Sequence, residues 1–142
     1  METILAPLPL GTSDFSALRK SGQIYVDKTR LIYTLASKRQ KFFLSRPRRF
    51  GKSLLLSTFE SLFKYGLRDF HGLEIESLWK DENTYQVIRL DFSNLKDFSS
   101  VEEFSELLDQ YLLDTLTVNR LVSPIKTDKE GLRAFIGWVG LP

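Results

Sequence analysis

The chain contains no cysteine. A disulfide framework, a cysteine-ligated zinc site and thiol catalysis are therefore excluded, and the composition is compatible with a reducing cytoplasm. Histidine is nearly absent too. His71 stands alone, reads as a surface or loop residue, and rules out a His-rich metal centre. No apolar run approaches the roughly 18 residues of a membrane-spanning helix. The opening Met1-Glu2-Thr3-Ile4-Leu5-Ala6-Pro7 lacks the basic region and long apolar segment of a signal peptide. No membrane partner is expected. Strong charge of one sign is missing as well: the formal net charge is +2, so no global field points to nucleic acid.

Aromatic residues are plentiful by contrast. Eleven Phe, five Tyr and two Trp supply enough large side chains for one domain of 142 residues to build a core. Positive charge is also locally dense, because Arg46, Arg48, Arg49 and Lys52 crowd into one short stretch. Such a point cluster suits a compact polyanion better than a long duplex, which usually needs a broader basic face.

Residues 1–13 read as an extended lead-in, with Pro7, Pro9 and Gly11 as breakers. Asp14 caps a short helix through Lys20, which Gly22 ends. Tyr25-Val26 is a brief extended piece. A helix follows from Thr29 to Gln40, its stripe made of Leu31, Ile32, Leu35 and Ala36. Phe42 to Ser45 is the first expected strand. A third helix runs from Lys52 to about Tyr65, with Leu55, Phe59, Leu62 and Phe63 on one face and Gly66 as its stop. Leu73, Ile75 and Leu78 suggest short helical turns. Tyr85 to Phe92 is nearly continuously apolar, as a strand buried in a parallel sheet is. Ser100 and Glu103 form a capping-box pattern before a long helix to about Val118. Val101, Phe104, Leu107, Leu108, Tyr111 and Leu112 make its buried face, and Glu102, Glu103, Glu106 and Asp109 its solvated face and N-terminal charge. Beyond Pro124 come a polar linker, a turn of helix near 129–135 and the apolar ending 136–142. Phe42, Phe59, Phe63 and Phe104 fall on expected buried faces and are assigned to the core.

The chemistry concentrates between the first strand and its helix. Arg46-Pro47-Arg48-Arg49-Phe50-Gly51-Lys52-Ser53-Leu54 follows the phosphate-loop pattern of glycine, four residues, then Gly-Lys-Ser/Thr, except that Arg46 occupies the first glycine position. The tripeptide alone is a weak signal. An apolar strand before it and an amphipathic helix after it add weight. In such a loop, successive backbone N–H groups face the phosphates, and Gly51 permits close approach. Lys52 reaches the β- and γ-phosphates as a point charge, and Ser53 offers its hydroxyl to Mg²⁺. The plainer reading is a basic strand-to-helix turn with no ligand.

The stretch from Arg46 to Ser53 resembles the loop of the bacterial AAA-ATPase-like family, whose members are often fused to a PD-(D/E)xK nuclease-like domain. Gly11-Thr12-Ser13-Asp14-Phe15 and Tyr25-Val26-Asp27-Lys28-Thr29 are similar to that family's N-terminal signature, and Val87-Ile88-Arg89-Leu90-Asp91-Phe92-Ser93 to its next strand. The resemblance runs from about Pro7 to Phe98. It implies ATP and Mg²⁺ as ligands, and Arg is common in that family where the first glycine would stand. Asp27 to Thr29 reads otherwise as a helix cap, with the wall of the base pocket as the sharper alternative.

Hydrolysis needs an acidic residue at a neighbouring strand end to hold Mg²⁺ and a carboxylate to position water. Asp91 is the strand-end carboxylate in view. It stands either as a catalytic and metal-binding candidate or as the cap of a turn with Ser93 and Asn94. The resemblance places the family's Asp-Glu strand further on. The expected architecture is therefore α/β: a partial three-layer P-loop NTPase fold with a parallel sheet, truncated before the acidic metal-binding strand. Residues 1–142 would form the N-terminal part of one domain, with 1–40 as lead-in and helices and 41–142 as the phosphate-loop half of the nucleotide-binding core. A missing C-terminal half or a nuclease-like domain would be its partner. The alternative is a non-catalytic module that binds nucleic acid or protein through the basic loop.

Overall fold

The computed structural model describes residues 6–38 and 40–119. The expected linker after Pro124, the turn near 129–135 and the apolar ending lie outside them. The chain divides into two compact units, Met1–Val87 and Ile88–Pro142.

Among the described residues the first unit holds four α-helices: α1 (Phe15–Lys20), α2 (Thr29–Ser37), α3 (Lys52–Tyr65) and α4 (Ile75–Leu78). Local signals account for most of their boundaries. The Asp14 carboxylate accepts the Ala17 N–H at 2.7 Å and so caps α1. Gly66, at φ 61°, stops α3 where a left-handed residue is needed. A 3₁₀ turn, Gly66–Asp69, and α4 supply the short helical turns expected before Asp81. α2 ends at Ser37, about a turn before the expected Gln40.

The core forms around Phe15, Ile32, Leu62, Phe70, Leu73, Ile75 and Trp79. Phe15 lies against Phe70 at 4.7 Å and edge-on to Tyr25 at 5.2 Å between ring centres. α3 buries a polar edge as well as an apolar one. Ser57, Thr58 and Ser61 are buried, and their small size lets α1 lie close. Each hydroxyl is satisfied. Ser57 Oγ accepts the Phe15 N–H at 2.9 Å, Thr58 Oγ1 donates to Leu54 O at 2.8 Å, and Ser61 Oγ donates to Asp69 Oδ2 at 2.7 Å.

The second unit contains a 3₁₀ turn, Phe92–Asn94, and α5 (Val101–Val118). Ser100 Oγ accepts the Glu103 N–H, while the Glu103 carboxylate reaches back to the N–H and hydroxyl of Ser99. The capping box therefore forms with its return arm one residue earlier than the ideal pattern. Those bonds from Ser99, the hydroxyl first, hold the Glu103 carboxyl below its ordinary value. On the apolar face of α5, Leu116 is buried and Phe104, Leu108, Tyr111 and Leu112 are half-buried, whereas Val101 and Leu107 are exposed.

The α/β expectation is overturned: no strand and no sheet occur among the described residues. Among the described residues neither expected strand is formed. Phe42 to Ser45 carries no ladder bond, and Phe43 is 94% exposed. Phe42, assigned to the core, is 52% exposed. In the second segment Tyr85 N–H is bound by Phe63 O at 2.7 Å, and Phe92 enters a 3₁₀ turn. A run of apolar residues sets a preference for extended backbone, but a strand exists only when a neighbour takes its N–H and C=O groups. Within the described residues neither segment has that neighbour. The partial three-layer P-loop architecture with a parallel sheet is accordingly not the fold observed.

Candidate nucleotide-binding loop

The basic loop leads straight into α3. Gly51 takes the left-handed conformation (φ 73°, ψ 17°) at the cap position, and Gly51 O accepts the first helical bond from Leu55 N at 2.9 Å. Arg49 also lies at positive φ, 66°, the one non-glycine residue to do so among those described. No side chain caps α3, and its first turn has no acidic residue. The first-turn N–H groups of Lys52, Ser53 and Leu54 therefore have no side-chain cap and no acidic neighbour in their own turn.

Arg46, Pro47, Arg48, Arg49, Phe50, Gly51, Lys52 and Ser53 are all exposed, and Leu54 is half-buried. Among the described residues the guanidinium groups of Arg46, Arg48 and Arg49 meet no carboxylate. Lys52 Nζ is engaged: it donates to Arg46 O at 2.7 Å. A cavity of about 1010 Å³ opens beside the loop, lined by Lys52 and by apolar residues that include Phe42, Phe43, Leu44, Leu55 and Phe59.

Asp91 belongs to the second unit. Its carboxylate accepts the Ser93 N–H at 2.9 Å, and its own N–H is held by Tyr111 Oη at 2.8 Å. The Ser93 N–H holds the Asp91 carboxyl below the ordinary carboxylate value. Asp91 thus caps the 3₁₀ turn. Ser53 stands in the first turn of α3. No group of three or more acidic, His or Cys side chains that could hold a metal occurs among the described residues.

Two polar centres escaped the reading of the sequence. Asp27 Oδ1 accepts the N–H and hydroxyl of Thr29 at 2.8 and 2.7 Å, but the cap position of α2 falls on Lys28, which makes no side-chain cap bond, so neither Asp27 nor Thr29 is the cap. The same pair also reaches across the fold. Asp27 Oδ2 accepts the Glu74 N–H at 2.7 Å, and buried Thr29 Oγ1 accepts the Ile75 N–H at 3.0 Å. Burial pushes the Asp27 carboxyl up, but the bonds from Glu74 and Thr29 outweigh it and hold it below the ordinary value. Neither residue lines the cavity beside the loop. The Asp-Lys-Thr spacing suggested a cap; nothing in it announces α4 as the partner.

The second centre is Asp69, whose side chain is 5% exposed. It accepts from Ser16 Oγ, from Ser61 Oγ, and from Arg68 Nε and Nη2 at 3.0 and 2.9 Å. The Arg68 guanidinium, together with the two serine hydroxyls, outweighs burial and holds this carboxyl far below the usual range. Arg19 closes the same corner by donating to Asp69 O and His71 O.

A family model described as predicted AAA-ATPase matches residues 9–134. A relative from Azotobacter chroococcum mcd 1, described as an uncharacterized protein in the vnfD 5' region, is 33% identical over 131 residues. That alignment covers 92% of this chain and 24% of the relative, so the chain spans about a quarter of the relative's length. No solved structure matches the chain.

Proposed function

The chain belongs to the AAA-ATPase-like family, and on that premise we propose that it binds ATP through Arg46 to Leu54, with the Ser53 hydroxyl directed to Mg²⁺. The observation that carries this reading is the loop itself. Three arginines that meet no carboxylate among the described residues precede a left-handed Gly51 and an uncapped helix of 14 residues. Uncapped helix-start N–H groups, the positive end of the helix dipole and exposed cations are what a triphosphate recognises. The Lys52 ammonium adds a point charge once it leaves Arg46 O. Phosphoryl transfer needs a further carboxylate to hold the metal and to position water. Asp91 is the candidate the sequence offers, and its carboxylate is committed to the Ser93 N–H. We therefore assign binding, rather than turnover, to this stretch. In longer members of the family the corresponding activity would be Mg²⁺-dependent ATP hydrolysis.

Lys52→Ala tests the assignment. Binding of labelled Mg-ATP should fall by at least ~10-fold, the loss expected for one charge-assisted contact to phosphate. Equal binding by the two proteins would show that the site is wrongly placed.

One observation favours a second reading. Phe50 is 62% exposed among the loop's cations, the pairing of base-stacking ring and positive charge that single-stranded nucleic acid uses. Salt-dependent binding of an oligonucleotide that micromolar Mg-ATP does not displace would favour it.

A further inference from the structure

We infer that the apolar cleft beside the basic loop binds a free fatty-acid carboxylate, with the acyl chain along the cleft and the head group at Lys52. The cleft is about 1010 Å³, at the upper end of the roughly 300–1,000 Å³ usual for small-ligand sites. It lies wholly within the first unit. α2 contributes Leu35, the stretch before the loop Phe42 and Leu44, and α3 Leu55, Phe59 and Phe63. One wall is an aromatic stack. The Phe59 and Phe63 rings lie nearly parallel with centres 6.4 Å apart, and Tyr85 meets Phe63 edge-on at 5.8 Å. Phe43 and Leu56 also line the cleft and are exposed, so an acyl chain laid there removes apolar surface of both partners from water.

Two features select an anionic amphiphile. The first is charge. Lys52 is the cation on the cleft and Asp81 the carboxylate. Asp81 is engaged: Oδ2 accepts the Tyr85 hydroxyl at 2.7 Å, and Oδ1 accepts the N–H and side-chain amide of Asn83 at 3.0 and 2.8 Å. No carboxylate meets Lys52 or the exposed Arg46, Arg48 and Arg49 among the described residues. A head group at that end meets positive charge, which favours a carboxylate and opposes an ammonium. The second feature is the lack of polar groups along the helical walls. The side chains that α2 and α3 turn to the cleft are apolar apart from Lys52, and a helix backbone bonds internally. A peptide laid along those walls would leave N–H and C=O groups unpaired on that side, whereas an acyl chain has none to satisfy.

Titration calorimetry of the whole chain with octanoate, decanoate and dodecanoate, each below its micelle concentration, tests the assignment. One molecule should bind per chain, about two- to four-fold more tightly for each added methylene. Dodecyltrimethylammonium has the same tail and the opposite head, and should bind at least ~10-fold more weakly than dodecanoate. Lys52→Met keeps the stem and removes the charge, and should weaken dodecanoate about ten-fold without weakening the cationic amphiphile. Leu56→Asp sets a carboxylate on the cleft at an exposed position of α3 and should weaken dodecanoate at least ~10-fold. Phe43→Ser, at a still more exposed position, should weaken it about five-fold and serves if Leu56→Asp does not fold. Equal affinity for the two head groups, affinity independent of chain length, or many molecules bound per chain would overturn the assignment. Binding to phosphatidylserine vesicles without binding of dodecanoate would overturn it too. None of these outcomes depends on whether Mg-ATP binds, so the nucleotide reading stands or falls separately.

Discussion

Replacing Asp69 by Asn should remove more stability than any loop substitution. The carboxylate is almost wholly buried and accepts from two serine hydroxyls and a forked arginine. Asn keeps the shape and one acceptor oxygen, but it turns an NH₂ donor toward either the Arg68 guanidinium or the serines. Hydrogen bonds to a charged acceptor contribute about 1.5–3 kcal/mol against about 1 for neutral ones. Arg68 is half-exposed, so its share is discounted for solvent. The expected loss is about 2–3 kcal/mol, or a midpoint lower by about 10–20 °C for a unit of this size. The pH dependence supplies an independent check. The folded carboxyl lies below the ordinary value of 3.8, so its contribution is complete above that pH and fades as the pH falls toward the folded value. The gap between wild type and Asp69→Asn should be full at pH 7 and narrow by about 1.4 kcal/mol per pH unit below 3.8. Urea unfolding followed by far-UV circular dichroism measures both. A gap under about 0.5 kcal/mol at pH 7, or one unchanged at pH 3, would refute the reasoning.

Thr29→Val keeps the buried volume but leaves the Ile75 N–H without its acceptor; it should cost about 1–2 kcal/mol in the same unfolding assay, with Thr29→Ser closer to wild type. Gly51→Ala meets no atom within 4 Å, so its cost is the left-handed backbone alone, about 1 kcal/mol. Its thermal midpoint should fall by a few degrees, and Mg-ATP affinity measured by calorimetry should fall with it, because the residue that re-aims the loop has changed.

The helices were legible because their signals lie within a few residues of one another. Asp14 and Ala17, Ser100 and Glu103, and Gly66 after Tyr65 each settle a boundary through one local bond or one permitted dihedral. The candidate site was legible in the same sense, since Arg46 to Leu54 is continuous in sequence and opens α3 as expected. The two strands were misread because an apolar run states a preference and says nothing of a partner. Phe43 shows the difference: its side chain suits a buried strand, yet it stands in solvent with its backbone unpaired.

The amino-acid order alone determined where α1, α3 and α5 begin, where the positive charge gathers, and which residues form the phosphate-loop pattern. It also carried enough of the family's features for the membership to be seen. The tertiary structure alone decided that Asp27 and Thr29 hold the N–H groups of α4, that Asp69 gathers Ser16, Ser61 and Arg68, and that Lys52 turns back to Arg46. It also decided that no sheet forms among the described residues. The reason is range. Caps, turns and helical stripes are complete within a few consecutive residues. A strand ladder or a buried carboxylate instead draws its partners from anywhere in the chain, and only folding reveals which of them arrive.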